Sequence, residues 1–153
     1  MKSELPFLKL ILAGILMLSI SCQPKTPEQL AEKDANKFFS NLDDSEKLVA
    51  HPMSFQENIP QELATQNKAK SMDKLQGYIS EMCPDTKDFT LLKTYRKFGD
   101  DNKKLLFLEY EFCSSGILVM SYKVEEEDVT LFSVWPMKKE ERPKVLFSEE
   151  QAW

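Results

Sequence analysis

The spacing of apolar positions changes twice along this chain. Leu10 to Ile20 forms an apolar run closed by the small residues Ser19 and Ser21. From Thr26 the spacing turns helical: Leu30, Ala31, Ala35, Phe38, Phe39 and Leu42 recur on one face of a helix, and Thr26-Pro27-Glu28-Gln29 supplies a capping box with proline at the first helical position. Asp43-Asp44-Ser45 stops this helix and caps a brief turn through Leu48 and Val49 that ends at Pro52. A second helical region starts near Pro60, within Asn58-Ile59-Pro60-Gln61-Glu62, and carries the stripe Met72, Leu75, Ile79 and Met82 before ending at Cys83-Pro84-Asp85. Leu63 lies off that stripe, which predicts a break or kink between Thr65 and Lys68.

Beyond Asp85 the period falls to two. Phe89 to Phe98, Lys104 to Cys113, Gly116 to Val124 and Val129 to Trp135 are rich in aromatic and aliphatic residues, and the segments between them have hairpin length. In the second of these, Leu106, Leu108, Tyr110 and Phe112 share one face while Glu109 and Glu111 take the other; Leu118, Met120, Tyr122 and Val124 repeat the choice in the third. One sheet face is expected to be buried and the other largely wet. Helices first and a meander afterwards predict an α+β domain, with the N-terminal helices packed on one face of a curved antiparallel sheet of about four strands.

The opening apolar run is too short to span a bilayer, which takes ~20 residues. Lys2 and Lys9 flank it, Glu4 weakens the basic character of its start, and Cys22-Gln23-Pro24 comes directly after it, so it has the parts of a secretory signal. Its last residues, Leu18-Ser19-Ile20-Ser21-Cys22, resemble the lipobox of bacterial lipoproteins, with Ser19 standing where leucine is commonest. The resemblance implies cleavage before Cys22, a diacylglycerol thioether on that thiol and acylation of the new amino group, as with palmitate. Two or more acyl chains give stable attachment. The expected organisation is a cleaved signal over 1–21, a lipidated tether over 22–26, an α+β domain over 27–137 and a tail over 138–153. Gln23, Pro24, Lys25 and Thr26 reach at most ~14 Å when extended, so the domain is expected close against its membrane. The expected location is the bacterial cell envelope. Gln23 stands where an aspartate would resemble an inner-membrane retention signal, which favours the periplasmic face of the outer membrane in a host that has one.

A second resemblance covers most of the chain after Cys22. The helix carrying Phe38 and Phe39, the Leu75-Gln76-Gly77 segment and a closing strand ending in Trp135 look like the small NTF2-like (cystatin-like) α+β domains of bacterial lipoproteins. It implies a curved sheet wrapped around a helix, often with a conical pocket. Phe38, Phe39, Tyr110, Tyr122 and Trp135 are the candidate lining residues, although aromatics at these periods are ordinary core material. Pro136 departs from the pattern, since such domains often continue there with polar strand residues.

Composition removes several function classes. The formal net charge is −5 over 153 residues, and loss of Lys2, Glu4 and Lys9 makes the remainder more negative, so nucleic acid is not an expected partner. His51 is the single histidine and precedes Pro52, which suits a loop or cap and leaves catalytic triads and histidine-rich metal sites without support. Glu125 to Asp128 lacks the spacing and glycine of a calcium loop, and Gly77, Gly99 and Gly116 form no phosphate-cradling loop. No catalytic residue, metal or cofactor is expected beyond the covalent lipid on Cys22.

Two features stay open at this level. Cys83 and Cys113 are the remaining thiols, and an oxidising compartment favours pairing them. Strand parity puts Cys113 on the Glu109 side, away from the helices, so pairing requires a bend or bulge at the strand end. The tail mixes charge with the Val145-Leu146-Phe147 cluster and either docks as an edge element or serves as a partner-binding segment. The expected function is a membrane-anchored envelope lipoprotein acting as a non-enzymatic binding or scaffold module, its partner an envelope protein or a small hydrophobic ligand. The alternative is a small enzyme or ligand carrier using an apolar pocket.

Overall fold

The computed structural model describes residues 24–54, 60–84, 88–99, 102–126 and 128–141. Cys22 and residues 142–153 lie outside them. Three helices precede a four-stranded sheet: α1 (Pro27–Ser40), α2 (Ser45–Ala50), α3 (Gln61–Met82), β1 (Phe89–Phe98), β2 (Lys104–Phe112), β3 (Gly116–Glu125) and β4 (Asp128–Lys138). The strands follow one another in the order β1-β2-β3-β4 with every pair antiparallel. The helices cover one face of this curved sheet, an α+β architecture.

α1 begins where the capping box dictates. Thr26 Oγ1 accepts from Gln29 N–H at 3.3 Å, and Gln29 Oε1 accepts from Thr26 N–H at 3.1 Å, which satisfies donors that the first helical turn leaves open. Arg96 of β1 donates to Glu28 and fastens this end of the helix to the sheet. Burial of Glu28 opposes its ionisation, but hydrogen bonds from its own backbone and from Arg96 together hold its carboxyl below the usual range.

α3 departs from expectation. It runs unbroken through Thr65 to Lys68, with Ala64, Lys68, Met72, Leu75 and Ile79 forming a single buried stripe. Lys68 continues the stripe because its aliphatic stem packs while its ammonium donates to the His51 carbonyl oxygen. Leu63 is simply on the solvent side. Burial lowers the Lys68 pKa from the ordinary lysine value.

The inner core joins Ala31, Ala35 and Phe38 of α1 and Leu75 and Ile79 of α3 to Leu106, Leu108, Tyr110, Phe112, Leu118, Met120, Tyr122 and Leu131 of the sheet. Gly116 pairs with Phe112 across the β2–β3 turn, and a Cβ on Gly116 would run into the Phe112 ring. Bulges interrupt β1 at Leu92 and β4 at Phe132, the residues skipped between Leu91 and Lys93 and between Leu131 and Ser133, and both are exposed. β4 continues through Pro136 to Lys138, which an edge strand tolerates because its outward N–H need not pair. The upper part of that edge is met by Met53, bridged in parallel to Leu131, with Ser54 N–H donating to the Leu131 carbonyl at 2.7 Å.

The second sheet face is not wet. Phe107, Ile117 and Val119 form a separate buried cluster there with Tyr95, Leu105 and Met137 packed around it. Glu109 and Ser121 on the same face are fully buried, Tyr95 Oη donating to Glu109 Oε2 at 3.0 Å and Ser121 sharing a hydrogen bond with Ser133. Parity assigned these side chains to the correct face, but the polar letters hid how little water reaches it.

Candidate functional site

The helix-facing aromatic cluster gathers most of the candidate lining residues. Phe38 and Tyr122 are fully buried, Tyr110 nearly so, and Phe39 stacks on Phe89 at 4.0 Å while meeting Tyr110 edge-on at 4.8 Å. Trp135 does not belong with them. It stands on the opposite sheet face, 46% exposed, stacked on Phe107 at 6.5 Å. β4 pairs Trp135 with Val119, and the alternation that turns Val134 inward turns Trp135 outward.

A polar constellation that the residue pattern did not single out lies inside this cluster. His51 caps the C-terminal end of α2, so the cap reading agrees with its position, but its side chain is wholly buried rather than lodged in an open loop. Its Nε2 lies 3.0 Å from Asp34 Oδ2 of α1, its ring meets Phe38 edge-on at 5.2 Å, and its carbonyl oxygen accepts from Lys68 of α3. Tyr122 of β3 lies near enough to feel the same carboxylate. Burial first, then the charge and hydrogen bonding of Asp34 and the nearby Tyr110, push the Tyr122 phenol far above the ordinary tyrosine range. Burial, reinforced by the charge of Glu32, does the same to Tyr110. Among the described residues, His51 Nδ1 and the Tyr122 hydroxyl have no hydrogen-bond partner of good geometry.

Chemically the group holds a carboxylate, an imidazole and a neutral phenol within an aromatic wall. Asp34 fixes the ring and leaves Nδ1 directed into the core, the geometry of an oriented base. The same arrangement ties α1, α2 and α3 to one residue, a purely architectural role. A sequence signal for Asp34 exists: it sits three residues after Ala31 and four before Phe38, on the buried stripe of α1.

Cys83 and Cys113 are joined in a disulfide, with Cα atoms 5.8 Å apart. The parity objection lapses because Cys113 lies just past the end of β2 and adopts φ 51°, with Ser114 following at φ 55°. That left-handed pair turns the Cys113 side chain off the strand alternation and toward Cys83, which caps the C-terminal end of α3. The bond links the end of the helical layer to the β2–β3 turn.

Among the described residues no helix is long and apolar enough to cross a membrane, and no cluster of three or more His, Cys, Asp or Glu side chains is placed to hold a metal ion. No family model, curated protein or solved structure matches the chain.

Proposed function

We propose that the protein is a lipid-anchored lipoprotein of the bacterial cell envelope whose NTF2-like domain is a non-enzymatic binding or scaffold module working at the membrane surface. The observation that carries this reading is the position of the capping box. Among the described residues the first helix starts at Pro27, and in the sequence Gln23 to Thr26 lie between it and the lipobox cysteine. Four residues span ~14 Å at most, so lipid on Cys22 would hold the sheet and its helices against the bilayer rather than on a long leash. The element order and the helix-covered curved sheet support the NTF2-like assignment. Radiolabelled palmitate fed to expressing cells tests the anchor: label in the native chain and none in Cys22→Ala is expected, and equal label in both refutes it. Affinity capture of the lipidated protein from its native membrane tests the binding role, with an envelope protein or an apolar ligand as the expected companion.

One observation favours the second reading, a small enzyme or ligand carrier. Asp34, His51 and Tyr122 converge within an aromatic wall, which suits proton transfer to a small apolar molecule. Titrating short-chain fatty acids and aromatic alcohols while following the His51 ring resonances separates the two. A saturable shift abolished by Asp34→Asn supports the second reading, and unmoved resonances leave the scaffold role.

A further inference from the structure

We infer that the Cys83–Cys113 disulfide is a thiol-sensitive latch: reduction by a dithiol lets the β2–β3 turn leave its left-handed conformation, so that Cys113 rejoins the alternation of β2 and the adjoining end of the inner aromatic layer loosens. The inference stands independently of lipidation at Cys22.

The backbone of the turn is the first observation. Cys113 and Ser114 hold consecutive left-handed conformations, at φ 51° and 55°, a region where a Cβ crowds the carbonyl that follows and which glycine, asparagine and aspartate enter more readily. Hairpin turns with two such residues are ordinarily built from Asn-Gly or Gly-Gly. The glycine of this segment is Gly116, one place past the loop, and its φ is not positive. Its missing side chain makes room for the Phe112 ring instead. Residue choice therefore does not relieve the turn, and the surrounding structure has to hold it. The disulfide ties Cys113 itself to the C-terminal cap of α3, and Lys139 N–H donates to the Ser115 carbonyl at 2.8 Å. Of these two anchors, the disulfide is the one that acts directly on a left-handed residue.

Exposure sets the point of attack. Cys83 is 2% exposed, whereas Cys113 is half-buried and is followed by the exposed Ser114 and Ser115. An incoming thiolate meets the Cys113 sulfur first and bonds to it. The S–S bond breaks, and its electron pair leaves on the Cys83 sulfur, which takes up a proton. The second thiol of the reductant, as its thiolate, then displaces Cys113 from the mixed disulfide, and Cys113 is protonated in turn. Two electrons and two protons have passed from the dithiol to the protein, and the reductant leaves as an internal disulfide.

The core feels the change through Phe112, the residue before Cys113. Phe112 is fully buried, its ring lies 5.8 Å from that of Phe89, and Phe89 stacks on Phe39. A turn that relaxes draws Gly116 away from the Phe112 ring and parts the end of α3 from β2, since the Cys83 sulfur is what joins them there. Cys113 then points to the Glu111 side of the strand, where unbroken alternation would put it.

The test uses the full chain purified in detergent and equilibrated with dithiothreitol at rising ratios of its reduced to its oxidised form, without denaturant. Alkylation mapped by peptide scores Cys83 and Cys113 separately from Cys22. Both thiols are expected to appear while far-ultraviolet circular dichroism keeps its folded signal. The one-bond Cα–Hα couplings of Cys113 and Ser114, which distinguish positive from negative φ, should move to extended values on reduction. Ser114→Asn and Ser114→Gly each ease a left-handed position of the oxidised turn, so each should raise the dithiothreitol ratio at half reduction severalfold. Ser114 is exposed, so neither substitution empties a buried site. A bond that opens only together with global unfolding, a reduced turn that keeps both positive φ values, or a half-reduction point unmoved by either substitution would each overturn the latch.

Discussion

The two faces of this sheet are built from the same strands but in different ways. The inner face is closed by helices whose side chains interlock with Phe112, Leu118, Met120 and Tyr122; among the described residues the outer face has a smaller apolar strip interleaved with the buried polar side chains Glu109 and Ser121. The inner face therefore takes most of its stability from packed volume, and the outer face from hydrogen-bonded polar groups and a thinner apolar layer. The lesson is that alternation of letters assigns a side chain to a face without saying how dry that face is.

The largest expected effect separates the faces by truncation. Phe112→Ala empties a fully buried site between the Phe89 ring and the inner core, and removal of a buried phenylalanine costs about 3 to 5 kcal/mol. Phe107→Ala on the outer face should cost about half as much, since its surroundings are thinner. Chemical denaturation of both variants measures the ratio; equal losses would mean that the outer strip is packed as deeply as the inner core. Next comes the disulfide, whose partners are 30 residues apart. Cys83→Ser with Cys113→Ser should lower stability by about 3 to 4 kcal/mol on the chain-entropy model. The loss should fall on the inner layer, because the bond ties α3 to the β2–β3 turn. Hydrogen exchange that rises in α3 before β1 would confirm the placement, and uniform loss would contradict it.

A pH titration probes the inner face without mutation. The ordinary tyrosine pKa is 10.0, and Tyr110 and Tyr122 lie above it in the folded chain. A group whose pKa is raised by folding contributes stability that is present in full below the unfolded value and is lost as pH rises beyond it. Stability should hold up to about pH 10 and then fall by about 1.4 kcal/mol per pH unit for each such tyrosine. Absorbance at the phenolate band should show Tyr110 and Tyr122 ionising together with unfolding. Smooth ionisation of all four tyrosines in a folded chain would show that the inner face admits water. On the outer face, Tyr95→Phe removes the hydroxyl that donates to buried Glu109. A typical intramolecular hydrogen bond contributes about 0.5 to 1.5 kcal/mol, and the burial of the acceptor puts the expected loss near the upper figure.

How much of this was legible in the residues depends on whether the deciding contact was local. All four strands begin within a residue of where the alternation places them, because alternation is a property of neighbouring letters. The α+β layering follows from the same letters. The unbroken α3 was hidden because Lys68 counts as polar in any pattern, whereas its methylenes continue the stripe and its ammonium finds the His51 carbonyl from another helix. Burial of Glu109 was hidden for a similar reason: its partner Tyr95 lies on the neighbouring strand. The polar constellation was half legible. His51 was visible as a cap, whereas Asp34, although it lies on the buried stripe of α1, was not singled out, and their meeting depends on how α1 and α2 pack. The route of Cys113 was hidden by the assumption that it still belonged to the strand, whereas its positive φ takes it out of the alternation.

The smallest expected effect bears on the first turn of α1, at the edge of the inner layer. Thr26→Ala removes the side-chain oxygen that accepts from Gln29 N–H and frees Gln29 from its reciprocal bond. Loss of such a cap costs about 1 kcal/mol. Because α1 packs only on the inner face, the outer strip should not respond, and exchange of Ile117 and Val119 amides should change only through global unfolding. The local consequence is the more telling one: a frayed first turn frees Pro27 and Glu28 and loosens the Glu28–Arg96 clasp. Limited proteolysis between Cys22 and Leu30 should then be faster in Thr26→Ala than in the native chain. Equal cleavage rates would show that Arg96, rather than the capping box, sets where the folded domain begins.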